Sequence, residues 1–239
     1  MIPSKGRSSR CVLLFARAPL QEERVKGIRG AAPLFAFTKR RLSEALASFP
    51  DVGVVISGEG TDGLFEGATV VAQRGRTFGE RFENAFADAR ALGYVEVVAI
   101  PIDVPALGTE QLAASFAKLE GSDVVLGPSP DGGVYLVGSR RDTASLFRDV
   151  PWQTDRVFFA LLRNAGEAVV LGSLLDIDRR ADLESLAADA STDPELRSLV
   201  SQLLHRDLTG HPISAGSVRP LRLESHSFGR APPLFLLSF

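Results

Sequence analysis

Seven short apolar runs, set apart by turn residues or by stretches with helical spacing, constrain the fold of this chain more than any other feature. They lie at 11–16 (CVLLFA), 52–57 (VGVVIS), 68–72 (ATVVA), 95–100 (VEVVAI), 123–127 (DVVLG), 134–138 (VYLVG) and 168–171 (AVVL). Each has strand length, and Val dominates most of them. Between them, apolar residues recur at the spacing of one helix face. Leu34, Phe35, Leu42, Ala45, Leu46 and Phe49 do so across 33–49. Phe78, Phe82, Ala85, Phe86, Ala89 and Leu92 follow a Thr77–Glu80 capping-box spacing and stop at Gly93. Leu112, Phe116 and Leu119 follow Thr109 as a cap, and Val157, Phe158, Leu161 and Leu162 lie between a Thr154 cap and Gly166. Leu183 and Leu186 mark a helix after Asp178, and 194–205 carries the last one. Strands alternating with helices predict a mainly parallel sheet covered on both faces, with an antiparallel excursion at 134–138.

The stretch 95–105 (VEVVAIPIDVP) is the expected centre of that sheet. Its apolar run ends at Pro101, and Asp103 follows between two prolines, so a buried strand delivers a carboxylate to its C-terminal edge. Ligands of open α/β sheets bind outside the carboxyl ends of the strands, which makes Asp103 a candidate for chemistry. The bland alternative is a turn cap.

Length and composition limit the rest. A chain of 239 residues, 45% hydrophobic, supports one sizeable core. We expect one domain at 11–205, a flexible N-terminus at 1–10 and an irregular extension at 206–239. That extension ends in PPLFLLSF, an apolar patch that is a candidate for docking on the body or on a partner chain as an oligomer contact. A net charge of -2 with interspersed signs argues against nucleic acid or an anionic membrane as partner. No apolar run approaches the roughly 20 residues of a membrane span, so a cytoplasmic location is expected. The single Cys11 excludes an internal disulfide framework, and its apolar setting predicts a buried, inert thiol. All three histidines lie from position 205 onward, so a His-based triad or HExxH zinc site would have to recruit the tail. Carboxylates, Lys, Arg and backbone amides remain, and these suit a hard metal ion and phosphate oxygens.

The loop 17–30 carries Arg17, Arg24, Lys26 and Arg29 after the first strand. It reads either as a phosphate cradle or as a solvated charged loop; neither GxxxxGK[ST] nor GxGxxG occurs in it. Asp131-Gly132-Gly133 reads as a hairpin turn or as a place where a ligand approaches the backbone. Trp152 has packing as its default role, and Asp178 has a helix N-cap as its own.

In order, the chain carries Ala16-Arg-Ala-Pro19, Val25-Lys26, Phe78-Gly-Glu-Arg81, Ile102-Asp-Val-Pro105, Leu126-Gly-Pro128, Asp131-Gly-Gly133 with Tyr135, Pro151-Trp152 with Thr154, and Asp176-Ile-Asp178. This ordered set, over 11–187, resembles the DUF2064 family of the glycosyltransferase-A superfamily. The resemblance implies a Rossmann-like three-layer α/β/α fold with the mainly parallel sheet of the nucleotide-diphospho-sugar transferases. It implies a transferase that takes a nucleotide or nucleotide sugar with Mg²⁺ or Mn²⁺. By the same resemblance Asp103 and Asp178 match metal-binding acids, and Arg17 and Lys26 match basic residues of the first loop that would face the phosphates; Arg29, displaced by one from the relatives' arginine, and Arg81 are further candidates for the nucleotide phosphates. Asp131 with Gly132 and Gly133 matches the loop that would face the sugar or acceptor, and Trp152 is a further substrate-side candidate; Asp103 and Asp131 are the candidate catalytic acids, Asp131 as base for an acceptor hydroxyl because His is not at hand. Carboxylate-held metal with Arg and Lys donors would stabilise the oxyanion released from a diphosphate.

Relatives usually read K-T-R-L where this chain has Lys26-Gly27-Ile28-Arg29, Gly where it has Pro101, and Thr where it has Arg179. The expected activity is metal-dependent glycosyl transfer from a nucleotide-diphospho-sugar. Two alternatives stand beside it: nucleotidyl transfer forming an activated diphosphate compound, and a catalytically weakened relative acting as a binding protein.

Overall fold

A computed structural model describes residues 9–17, 26–28, 30–58, 61 and 63–209, with only the backbone described at 206–209. Arg29 and the apolar tail end lie outside the described residues.

The strands form where β-branched runs can be covered on both faces. β1 (Arg10–Phe15), β2 (Gly53–Ser57), β3 (Thr69–Val71) and β4 (Glu96–Ile100) are mutually parallel, with β1 central among them. Beyond β4 lie β5 (Val124–Pro128), β6 (Val134–Ser139) and β7 (Val169–Val170), giving the order β3-β2-β1-β4-β6-β5-β7. β6 runs antiparallel to both neighbours, as its place directly after the Asp131 turn requires.

The two faces separate by alternation along the strands. Cys11, Leu13 and Phe15 of β1 join Val97 and Ala99 of β4 beneath α2 (Phe78–Ala91) and α4 (Val157–Ala165). Val12, Leu14 and Ala16 join Val98 and Ile100 on the other face, covered by α1 (Ala32–Ala47) and α3 (Thr109–Leu119). A third apolar cluster lies between α1, α5 (Arg180–Ala188) and α6 (Pro194–Thr209). α6 continues four residues past the expected end at His205. Cys11 is buried, and desolvation pushes its thiol up to about 12, which leaves it inert.

Helix starts separate the accurate sequence signals from the inaccurate ones. Thr77 caps α2 as expected: its side chain accepts from the Glu80 amide while Glu80 accepts from the Thr77 amide. Thr77→Ala is therefore expected to lower stability by about 1 kcal/mol, read as a fall in the urea midpoint at unchanged slope. Thr109 is instead the first helical residue of α3; Gly108 precedes it, with its amide bonded to Gln111 Oε1 at 3.0 Å. Thr154 caps no helix either. It donates to the Pro151 carbonyl at 2.7 Å and accepts from the Arg156 amide at 3.3 Å, shaping the turn that delivers Arg156 as the cap residue of α4.

Candidate functional site

Asp103 lies just beyond the carboxyl end of β4, and only 4% of it is exposed. It does not cap a turn. Its Oδ2 is ion-paired with Lys26 Nζ, whose side chain is 2% exposed. The same ammonium donates to the Ile177 carbonyl at 2.6 Å and lies 3.1 Å from Asp178 Oδ1. Asp103 Oδ1 is buried and has no hydrogen-bond partner.

The segment after β7 brings the other acids here. Leu171 N donates to Leu126 O, Leu174 N to Pro128 O and Ile177 N to Asp103 O, so residues 171–178 are stitched across the carboxyl ends of β5 and β4. Side chains of an extended segment alternate. Ile177 is buried with Ile28, Leu34 and Leu183, which leaves Asp176 and Asp178 to the opposite side, toward Lys26 and Asp103. Asp178 is not an N-cap. The Asp178 and Arg179 amides both donate to Asp182 Oδ2 at 2.8 Å, so Asp182 supplies the carboxylate at the start of α5 and Asp178 is left to the site.

Asp131 enters from the β5–β6 hairpin. Gly132 N donates to Ser129 O, Ser129 N to Gly133 O, and Gly133 N to Asp131 Oδ1 at 2.9 Å, which fixes the turn. The turn closes a hairpin, and its Asp joins Asp176 and Asp178 in a group in which one carboxylate oxygen from each lies within 4.8 Å of the others. Gly132 has φ +91°, and a Cβ there would come within 2.0 Å of the Asp155 carbonyl oxygen. The glycine is thus required by the chain's own packing. Gly132→Ala is expected to cost about 3 kcal/mol from the positive φ and the clash together, measurable as a lowered thermal midpoint.

Asp176, 4% exposed, carries the electrostatic strain of this arrangement. Burial is the largest cause and the neighbouring charges of Asp103, Asp178 and Asp131 the next, and together they push its carboxyl up to about 8. Lys26 pairs with Asp103 and Asp178, while Asp131 and Asp176 add their carboxyl groups at the same end of the sheet. Such a set has an unmet demand for positive charge, and oxygen donors in this number match a hard divalent cation. The orphaned Asp103 Oδ1 points to the same deficit.

The structure thus brings together Lys26, Asp103, Asp131 and Asp178 of the sequence-level candidates. It adds Asp176, which sequence reasoning noticed only as part of a motif; the Asp-Ile-Asp alternation was the signal that could have placed it. Arg17, half-buried, follows β1 at the same end of the sheet. Arg81 stands in the first turns of α2, where Phe15 packs on Phe78 and Phe82; its guanidinium donates to the Arg76 carbonyl at 3.4 Å. Trp152 belongs to an aromatic cluster with Phe78, Phe82 and Phe147, and its ring presses on Gly79, where a Cβ would lie 2.6 Å away.

Comparison with known proteins agrees with this architecture. The family model described as an uncharacterized protein conserved in bacteria (DUF2064) matches residues 35–154, half of the chain. A crystal structure of a candidate nucleotide-diphospho-sugar transferase from Desulfovibrio desulfuricans G20 superposes with a TM-score of 0.68 at 26% identity, over 84% of this chain and 96% of that one. Rv0371C of Mycobacterium tuberculosis H37Rv, solved in complex with manganese, gives 0.51 at 12% identity, over 74% of this chain and 97% of the other. A cytidylyltransferase from Leptospira borgpetersenii serovar Hardjo-bovis gives 0.50 at 14%, over 89% and 100%. The last two attest to the fold alone. No protein among curated relatives matches the chain. No helix among the described residues is long and apolar enough to cross a membrane.

Proposed function

The chain belongs to the DUF2064 family, and we propose that it is a divalent-cation-dependent transferase acting on a nucleotide-diphospho-sugar. The observation that carries this reading is the set Asp103, Asp131, Asp176, Asp178 and Lys26 at the carboxyl end of the sheet. In this fold class, ligands bind at that end.

Asp131, Asp176 and Asp178 would hold the cation, with Asp103 beside them through its unpartnered oxygen. Mg²⁺ or Mn²⁺ there would supply charge stabilisation to a diphosphate leaving group. Lys26 and Arg17, at the mouth of the same strand ends, are the donors we assign to phosphate oxygens. Arg81 is assigned to the outer phosphate or the nucleoside, from the first turns of α2. Gly133 and Trp152 are assigned to the rim where the sugar or acceptor lies. Asp131, the sequence-level candidate for a base, is the residue we assign to the cation ligands.

Thermal shift with a panel of nucleotide sugars and nucleoside triphosphates, with and without Mn²⁺, tests this. A ligand at roughly 100 times its Kd stabilises by about 2.7 kcal/mol, or about 5–10 °C for a domain of this size. A shift for one nucleotide sugar that needs the cation is the expected result, followed by release of a nucleoside diphosphate on turnover. Pyrophosphate release from a triphosphate would replace glycosyl by nucleotidyl transfer. No shift for any ligand would contradict the proposal.

A further inference from the structure

Asp178 serves two groups at once. One of its oxygens lies 3.1 Å from Lys26 Nζ, and its carboxylate also belongs to the Asp131–Asp176–Asp178 group. Lys26 is held by Asp103, Asp178 and the Ile177 carbonyl, with almost no exposure to water. A divalent cation on the three carboxylates would therefore sit next to a buried ammonium that shares one of its ligands. Like charges at that separation, away from bulk water, repel strongly. Both cations draw on the same carboxylate, and the lysine stem has four rotatable carbons with which to move its head.

We propose that Lys26 is the resident counter-ion of the acidic group and that it competes with a divalent cation for Asp178. Cation entry takes Asp178 away from Lys26, and the released ammonium turns toward an anionic substrate. Lys26 thereby lowers affinity for the cation in the absence of substrate and couples cation binding to substrate binding. By linkage, an anion that engages Lys26 tightens the cation by the same factor. An ion pair with a purely structural role would act differently, since its loss would leave cation affinity unchanged or weakened.

The inference rests on reading the three carboxylates as a cation site, and the test separates the two. Mn²⁺ binding to the full chain is measured by water-proton relaxation for the parent, for Lys26→Met, which keeps the apolar stem without the charge, and for Lys26→Arg. We expect at least tenfold tighter binding in Lys26→Met, with Lys26→Arg close to the parent. Equal or weaker binding in Lys26→Met, with the parent binding Mn²⁺, overturns the competition and leaves the cation site standing. Absence of Mn²⁺ binding in the parent removes both. Should Lys26→Met not fold, labelling of the parent decides the matter. Acetylation of Lys26, followed by mass spectrometry of its peptide, is expected to rise several-fold when Mn²⁺ is added, and unchanged labelling overturns the proposal.

Discussion

Replacing Asp176 by Asn is expected to stabilise the cation-free protein at pH 8 by up to about 5 kcal/mol while abolishing most of its affinity for Mn²⁺. The stability half follows from the raised carboxyl, about 8 in the folded chain against an ordinary Asp value near 3.8. Between those values the folded state binds more protons than the unfolded one. Stability contributed by this group is therefore full below about pH 4, declines as pH rises, and is gone above about pH 8. Asn cannot ionise, so the variant loses this pH dependence, and the difference in thermal midpoint should widen from pH 5 to pH 8 to on the order of 10 °C. Saturating Mn²⁺ should narrow that gap by stabilising only the parent, because a cation on the group favours ionised Asp176. The opposite signs for stability and binding are the signature of a residue kept for its charge rather than for the fold.

Asp103→Ala is expected to have the second large effect, in the other direction. Removing one partner of a buried pair leaves an uncompensated charge and costs about 3–5 kcal/mol. Lys26 would keep Asp178 and the Ile177 carbonyl, which places the loss near the lower figure. Loss of the Asp103 charge also relieves Asp176, offsetting part of it. Urea unfolding of the variant, and of Asp103→Leu combined with Lys26→Met, checks the assignment. The double variant should be more stable than the sum of its single changes, because neither buried charge is then stranded.

The fold was legible in the sequence because β-branched runs and helix stripes carry their own periodicity. Residues 11–16 and 95–100 read as buried strands from their apolar runs, while their pairing emerges only in the fold, and the β5–β6 hairpin was one of two readings of the Asp-Gly-Gly turn. Helix starts at Thr109 and Thr154 were misplaced because hydroxyl residues also shape turns just outside a helix, and spacing does not separate the two uses. The site was legible in part. Asp103 was marked by its place after the central strand, but its partnership with Lys26 spans 77 positions and leaves no local pattern. Asp178 looked like a cap, and only the competing Asp182 carboxylate, bonded to both cap amides, releases it. Asp176 was missed as a participant because its significance lies in a sum of charges from three separate segments, a property of packing rather than of any local pattern.

The proposed function requires that the acids at the carboxyl end of the sheet hold a divalent cation. Anomalous diffraction from crystals grown with Mn²⁺ tests it most directly. One strong peak is expected among Asp131, Asp176 and Asp178, absent in Asp176→Asn. A Mn²⁺-containing crystal without a peak at those carboxylates, or with manganese bound only elsewhere, would contradict it.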